Sequence, residues 1–341
     1  MDNLSRYTRQ IFFAEIGEFG QQRLLESQVA VVGLGALGSM ICQLLVRAGV
    51  GRLTLVDRDF VELHNLQRQT LYDEEDVMGR LPKALAASKK LKLINGDVEV
   101  QAAVDDLNPK NAGKLLAEAD LVLDGSDNME TRFLVNDFCV REGKPWIYGG
   151  VIGSVGMTLD IVPGKTPCLR CLFPDLPGPG ELPTCDTVGI LNSLPAVIGA
   201  IEVTEAIKLL VGSEDWRRDL LYLDLWKNQV KNLQVAAVTE CECCGKRQFR
   251  YLESKATAWV TTLCGRNTVQ ISPAEERALD LAQLSASLAG HGQVENRGYL
   301  LSFQPREHEQ ELVIFPTGRV LVQGTSEESL ARNLYAKYLG G

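Results

Sequence analysis

The sequence predicts an α/β fold, with a mostly parallel sheet and an antiparallel extension, followed by a small C-terminal α+β domain. Three observations predict it. Short β-branched runs alternate with amphipathic stretches, glycines mark the turns between them, and the composition shifts near Glu253. A chain of 341 residues allows about two domains. We therefore expect one domain over residues 1–253 and a second over residues 254–341.

The first unit along the chain is a strand, a turn, a helix and a second strand, the building block of a parallel sheet. Its predicted parts are a strand over residues 28–32, a glycine turn over 33–38, a helix over 39–48 and a strand over 52–56. Helices are predicted next over residues 83–93, 111–119 and 131–141, and strands over 98–102, 120–124 and 145–148.

The segment after the parallel strands changes character. Residues 157–162 alternate and begin the predicted antiparallel extension, whereas residues 163–195 hold seven of the 13 prolines and predict a long loop. A helix over residues 196–211, a strand over 220–225 and a hairpin near 231–238 complete the first domain.

The last part of the chain predicts a strand, a helix, a strand, a hairpin and a final helix. Residues 311–315 and 319–323 flank a turn, which predicts the hairpin. Thr325 and Glu328 have the spacing of a capping box, so the final helix is expected to begin there.

Charge and composition exclude several classes of function. The 44 acidic residues outnumber the 35 basic ones, which argues against binding nucleic acid through clustered positive charge. The chain begins with polar residues and has no apolar stretch near the ~18 residues of a membrane span, so we expect a cytoplasmic protein. Nine cysteines, several in close pairs, suggest metal or sulfur chemistry in a reducing compartment.

The glycine turn is the first candidate binding element. Gly33, Gly35 and Gly38 match G-x-G-x-x-G, and Asp57 ends the next predicted strand, 19 residues after Gly38. Such a Rossmann-like turn lets backbone N–H groups approach phosphate, and the aspartate can hold ribose hydroxyls. A tight turn without a ligand is the alternative, and the motif alone does not separate a dehydrogenase from a protein that uses ATP.

Three further sites favour a polyphosphate. The segment His64-Asn65-Leu66-Gln67-Arg68 follows the aspartate, Lys83 opens a helix, and Asp127 lies in the loop after a strand. They would place cations on phosphates and a carboxylate near Mg²⁺, which hydride transfer does not need. Taken singly, Arg68 and Lys83 could equally lie on a solvated face.

The cysteine pairs suggest a metal site. Cys168 and Cys171 form one C-x-x-C pair, and Cys241 and Cys244 form another, with Cys243 left over. Four thiolates suit a structural Zn²⁺ ion, and a redox dithiol is the alternative.

The other cysteines stand alone. Cys185, in the proline-rich loop, could be a nucleophile, a sulfur acceptor or an incidental residue. We expect Cys42, Cys139 and Cys264 to be buried.

Together these motifs resemble the ThiF/MoeB/HesA family, ATP-dependent activators of ubiquitin-like sulfur carrier proteins, over about residues 5–250. The segments that carry the resemblance are Arg6-Tyr-x-Arg-Gln10, Val32-Gly-Leu-Gly-Ala-Leu-Gly38, Leu55-Val-Asp57, Asn65-Leu-Gln-Arg-Gln69, Gly79 with Pro82-Lys83, Leu123-Asp-Gly-Ser-Asp-Asn128, both cysteine pairs and Glu205-Ala-Ile-Lys208. Residues 262–270 and 315–319 look like the extension of some thiazole-biosynthesis members.

The resemblance implies that the carrier's C-terminal glycine carboxylate attacks ATP to give an acyl-adenylate. It also implies that a sulfur donor, such as a cysteine desulfurase, then provides the sulfur that reacts with this acyl-adenylate. It implies a homodimer in which Arg9 enters the partner's site, a magnesium ligand at Asp127 and a role for Cys185 in sulfur transfer. The residues it places on the nucleotide are Gly33, Gly35, Gly38, Asp57, His64, Asn65, Leu66, Gln67, Arg68, Lys83 and Asp127.

Four alternatives remain open at this point. They are a nicotinamide-dependent oxidoreductase, an adaptor with a decayed ATP site, activation of a MoaD-like carrier for molybdopterin synthesis, and a tRNA-modifying dehydratase of the same superfamily.

Overall fold

The computed structural model describes residues 4–176, 188–253, 259–263, 267–273 and 278–339. The chain divides into two compact units, Met1–Ser254 and Lys255–Gly341. Among the described residues, no helix is long and apolar enough to cross a membrane.

The first unit is built on an eight-stranded sheet with the strand order β3-β2-β1-β4-β5-β6-β7-β8. The first five strands in this order are parallel, and the last three run antiparallel to their neighbours. The predicted mostly parallel sheet with an antiparallel extension is confirmed. The strands are β1 Gln28–Val32, β2 Arg52–Val56, β3 Glu99–Ala103, β4 Leu121–Asp124, β5 Trp146–Ile152, β6 Val155–Ile161, β7 Leu220–Asp224 and β8 Gln229–Leu233.

Helices cover both faces of this sheet. Along β1, Val29 and Val31 pack into one apolar core with α3, α5 and α9, whereas Ala30 and Val32 pack into another with α6 and α7. This alternation is the period of two that a strand imposes on its side chains. The helices are α1 Thr8–Ile11, α2 Gly17–Glu26, α3 Ala36–Ala48, α4 Glu74–Met78, α5 Lys83–Ile94, α6 Ala112–Leu116, α7 Met129–Glu142, α8 Leu169–Leu172, α9 Ser193–Val211 and α10 Arg250–Glu253.

Two predictions for the first unit were wrong in detail. The expected loop over residues 163–195 contains α8 and the start of α9, where Pro195 lies in the first turn. Proline is tolerated there because its missing N–H has no partner within the helix. The hairpin expected near residues 231–238 is formed by β7 and β8, since Leu220 pairs with Leu233 and the chain turns at Asn228 with a φ of 53°.

The second unit contains a six-stranded antiparallel sheet with the order β11-β12-β13-β14-β10-β9. Its apolar core lies between the sheet and two helices, in agreement with a small α+β unit. Here the expected first strand is a pair of strands. The elements are β9 Trp259–Leu263, β10 Thr268–Ser272, α11 Leu281–Leu288, β11 Gly292–Asn296, β12 Leu301–Pro305, β13 Glu311–Ile314, β14 Val320–Gln323 and α12 Glu328–Leu339.

The final helix begins slightly later than its capping signal suggested. Thr325 Oγ1 accepts a hydrogen bond of 3.0 Å from the N–H of Glu327, and the regular helix starts at Glu328. The threonine therefore organises the turn before the helix.

Candidate active site

The candidate site lies at the carboxyl edge of the parallel strands. The turn after β1 carries the three glycines, Asp57 follows β2, and residues 125–128 follow β4. Because β1 pairs with both β2 and β4, these segments are neighbours at one edge of the sheet. In open α/β sheets this edge is where ligands bind.

The glycine turn packs directly against the loop after β4. Gly33 has a φ of 85°, a region that favours glycine. A Cβ atom on Gly38 would lie 1.9 Å from the carbonyl oxygen of Gly33, and one on Gly125 would lie 2.2 Å from the same oxygen. The close approach of the two loops therefore requires glycine at both positions. A Cβ on Gly35 would meet Gln69 Nε2 at 3.8 Å, an ordinary contact.

Asp57 joins the glycine turn to the segment after β2. Its Oδ2 accepts a hydrogen bond of 2.6 Å from the N–H of Leu34, and its Oδ1 accepts one of 2.6 Å from the N–H of Asp59. Burial raises the pKa of the Asp57 carboxyl, while the positive charge of Lys83 opposes this shift. The aspartate thus orders the backbone around the predicted ribose position.

Lys83 is the first residue of α5 and is only 4% exposed. Its Nζ lies 3.3 Å from Asp59 Oδ2, and its N–H donates to the carbonyl oxygen of Asp59 at 2.8 Å. The alternative of a solvated surface lysine is therefore wrong. Asp59, which the sequence reasoning missed, lies two residues after the recognised strand-end aspartate, Asp57.

The segment at residues 64–68 forms a short turn of 3₁₀ helix and the residues after it. Asn65 is buried, and its Oδ1 accepts from the N–H of Glu62 at 3.2 Å. Arg68 is half-buried and its Nη1 donates to the carbonyl oxygen of His64 at 3.1 Å. His64 and Gln67 are exposed and Leu66 is half-buried, so the segment presents a mixture of anchored and accessible side chains.

Asp127 is exposed at the tip of the loop after β4, and a buried arginine lies beneath that loop. Arg132 Nε donates to Asp124 Oδ2, and its Nη2 donates to the carbonyl oxygens of Ser126 and Gly149, each at 2.8 Å. The sequence reasoning missed Arg132. The signal was present, because an arginine in the first turn of a helix can reach back to an acid that ends the preceding strand.

Arg9 is not brought to the site of its own chain. The neighbouring Gln10 donates from Nε2 to the carbonyl oxygen of Ala48, at the last residue of α3. The glycine turn lies at the other end of α3, whose 13 residues span about 20 Å. Arg9 itself is exposed. Cys185 and Cys264 lie outside the described residues.

The two cysteine pairs meet in one cluster. The Sγ atoms of Cys168, Cys171, Cys241 and Cys244 all lie within 4.8 Å of one another. Cys168 Sγ lies 3.6 Å from Cys241 Sγ, and Cys171 Sγ lies 3.5 Å from Cys244 Sγ. Each sulfur of one pair therefore contacts a sulfur of the other pair. Tetrahedral Zn²⁺ with Zn–S bonds of about 2.3 Å requires S···S distances of about 3.8 Å, so the donor set fits such an ion.

The remaining described cysteines, Cys42, Cys139 and Cys243, are all buried. Cys243 Sγ accepts a hydrogen bond of 3.2 Å from Asn136 Nδ2 and is not one of the four clustered sulfurs. Cys42 and Cys139 are buried in the two apolar cores, as expected.

The sequence analysis also missed two buried carboxyls, Glu202 on α9 and Asp160 on β6, although it named the neighbouring Glu205 within a family motif. Glu202 is 0% exposed, and a Cβ on Gly149 would lie 2.1 Å from its Oε1. Burial, together with the negative charges of Asp124 and Asp160, raises the pKa of Glu202 well above its ordinary value despite the nearby Arg132. Burial and Glu205 raise the pKa of Asp160 to about 8.

Fold and site together define an α/β protein whose sheet edge is built to receive a nucleotide. The model of the ThiF family matches residues 7–244, and the chain belongs to that family.

Two curated relatives are similar over different lengths. The chain is 42% identical over 338 residues to "Sulfur carrier protein ThiS adenylyltransferase" of Bacillus subtilis (strain 168), covering 98% of this chain and 99% of the relative. It is 38% identical over 241 residues to a protein of the same name from Escherichia coli (strain K12), covering 70% of this chain and 94% of the relative. The second relative has too little length left to contain another unit of about 90 residues.

Among solved structures, the chain resembles MccB of Escherichia coli, crystallised with MccA-N7isoASN. The TM-score is 0.63 at 23% identity, over 72% of this chain and 75% of that one. This similarity supports the fold of the first unit.

Proposed function

We propose that this chain is an ATP-dependent adenylyltransferase that activates the C-terminal glycine carboxylate of a ubiquitin-like sulfur carrier protein of the ThiS type. The observation that carries the proposal is the 42% identity to a ThiS adenylyltransferase along nearly the whole of both chains. This activity replaces the oxidoreductase and adaptor alternatives. The activated carrier would then receive sulfur for the thiazole of thiamin.

In the proposed reaction, a carboxylate oxygen of the carrier attacks the α-phosphorus of ATP. The bond from that phosphorus to the bridging oxygen breaks, and pyrophosphate leaves with the bond's electrons. The products are the carrier acyl-adenylate and pyrophosphate. Such a reaction depends on positioning and on stabilising negative charge at the phosphates.

The chain's own residues are arranged for these tasks. The N–H groups of the first turn of α3, which have no partner within the helix, would bind the phosphates, and the three glycines would allow close approach. Lys83 and Arg68 would supply positive charge at the phosphates. Asp57 would bind the ribose, and Asn65 would bind a phosphate. His64, Leu66 and Gln67 would line the nucleotide beside them. A carboxylate at Asp127 would hold Mg²⁺, which neutralises phosphate charge when bound.

We assign the four-cysteine cluster to a structural Zn²⁺ ion. The four sulfurs provide a closed set of soft ligands with no position left for a substrate. Reduced thiolates and ATP are both found in the cytoplasm, where we place the protein.

We assign Arg9 to the active site of a second copy in a homodimer. Three exposed phenylalanines follow it, Phe12, Phe13 and Phe19, with exposed fractions of 71%, 57% and 76%. An apolar surface of this kind is typical of an interface. If each site combines Arg9 of one protomer with Asp127 of the other, mixing Arg9→Ala with Asp127→Ala protein should restore about a quarter of wild-type activity, because half of the dimers regain one of two sites.

Pyrophosphate exchange into ATP tests the central proposal. Protein, Mg²⁺, ATP and a carrier ending in Gly-Gly should support exchange, and a ThiS-like carrier should exceed a MoaD-like one. Asp127→Ala should abolish exchange. Cys185→Ala should leave it largely intact, because we place Cys185 in the later step with the sulfur donor. Failure with every such carrier would reject the proposal, and loss of exchange in the cysteine variant would reject the division of the two steps.

A further inference from the structure

Resting on the proposed function, we infer that Arg132 is the positioning residue that fixes the loop carrying Asp127 against the glycine turn. Arg132 is buried at the start of α7, and its three hydrogen bonds of 2.8 Å end on three different parts of the sheet edge. Those parts are the end of β4, the loop at Ser126 and the Gly149 carbonyl of β5.

The buried ion pair beneath the loop is fully engaged. Asp124 Oδ2 accepts from Arg132, while its Oδ1 accepts from the N–H of Ser126 at 2.9 Å and from its hydroxyl at 2.6 Å. One carboxylate and one guanidinium therefore hold Ser126 from both its N–H and its carbonyl side. Buried ion pairs of this kind are retained where their hydrogen bonds fix a geometry, since their net contribution to stability is small.

The loop that carries Asp127 has little room to move towards the glycine turn. Gly125 packs against the Gly33 carbonyl, so the loop cannot move inward. Asp127 is exposed on the other side, two residues after Gly125, and Asn128 caps α7 by accepting from the N–H of Thr131 at 2.8 Å. Arg132 thus fixes the position of the Asp127 carboxylate between Gly125, which packs on the glycine turn, and Asn128, which caps α7.

A lysine could not replace this arginine. The planar guanidinium reaches three acceptors in fixed directions and stacks over the Tyr148 ring, with Cζ 5.2 Å from its centroid. A lysine at the same place keeps the charge opposite Asp124 but loses the fork that also reaches the two carbonyls. Arg132→Lys therefore separates geometry from charge.

The experiment compares wild type with Arg132→Lys, Asp124→Asn and Arg141→Gln. The last is a matched control, because Arg141 lies on the same helix and is exposed. We measure the Mg²⁺ dependence of ATP binding without carrier, KM and kcat in pyrophosphate exchange, and the unfolding temperature. Arg132→Lys and Asp124→Asn should raise the half-saturating Mg²⁺ and the KM for ATP about tenfold. Arg141→Gln should behave as wild type.

A purely structural role would lower the unfolding temperature or kcat while leaving the Mg²⁺ dependence and KM unchanged. That result in either folded variant overturns the inference. Absence of exchange in the wild type would instead contradict the proposed function, and Mg²⁺-dependent ATP binding would still decide the role of Arg132.

Discussion

The two units of this chain differ in how they use their interiors. In the described part of the second unit, Arg319 is the one charged side chain among the buried residues. Within the residues of the first unit that the structure describes, ten charged side chains are buried, which are Asp76, Lys83, Asp124, Arg132, Asp137, Asp160, Arg170, Glu202, Glu205 and Asp224. Burying a charge is costly unless it is paired or neutralised, so a unit that keeps many of them uses them for more than stability.

The comparison locates the chemistry in the first unit. Lys83, Asp124 and Arg132 lie at the sheet edge. Glu202 and Glu205 lie on α9, whereas the described part of the second unit has a continuous apolar core. The match to the relative from Escherichia coli covers 241 residues, which is about the length of the first unit. We therefore expect the activity to depend on the first unit and to be insensitive to changes in the second.

The largest effect should come from matched lysines in the two units. Lys83→Ala removes a buried cation from the candidate phosphate position and should lower pyrophosphate exchange about 10²–10³-fold. Lys337→Ala removes a surface ion pair of 2.8 Å with Glu307 and a contact with the Tyr338 ring, and it should leave exchange unchanged. Equal losses in the two variants would contradict the assignment of the activity to the first unit.

The next effect concerns the cysteine cluster. Cys241→Ser removes one of four metal ligands and should lower the unfolding temperature of the first unit by more than about 10 °C, with loss of bound zinc. The matched change Cys243→Ser should keep one zinc per chain, because Cys243 is not one of the four clustered sulfurs. Calorimetry and elemental analysis measure both quantities. Full zinc content in Cys241→Ser would refute the ligand set.

The smallest effect is a pH dependence of stability from Glu202. Its pKa is raised in the folded protein, so as pH rises above the ordinary value of 4.5 the unfolded chain loses this proton first and the free energy of unfolding falls. The glutamine of Glu202→Gln cannot lose a proton. The difference in free energy of unfolding between this variant and wild type should therefore grow by up to about 1.4 kcal/mol per pH unit in favour of the variant.

Urea unfolding at pH 5, 6.5 and 8 measures this advantage. The groups that face Glu202, namely Asp124, Arg132 and Asp160, are the same in both proteins. If the free energies of unfolding of wild type and Glu202→Gln change in parallel with pH, Glu202 is ionised in the folded state.

Local patterns carried most of the fold prediction. The β-branched runs identified β1 and β2 because strand formation and the glycine turn leave their signature within a few residues. Spacing likewise identified the four cysteines. The order of the strands and the exact turns of the proline-rich segment depend on packing between distant segments, which is why α8 and the β7–β8 turn differed from expectation.

The parts of the site that sequence missed are held by distant partners. Arg132 reaches Gly149, 17 residues away, and Glu202 lies against the same glycine from another helix. These contacts exist only because β4, β5 and α9 come together in the fold. Glu202 has no local motif, and for Arg132 only the pairing with Asp124 has a local signal, whereas Asp57 could be recognised from its place at a strand end.

The contact among Gly33, Gly38 and Gly125 has a consequence for directed evolution. Each of these positions lacks room for even a methyl group against main-chain atoms, so repacking of side chains cannot create it. Saturation libraries at the three codons should return glycine alone under any selection that demands a folded nucleotide pocket. Specificity for a new acceptor must therefore be sought elsewhere on the molecule.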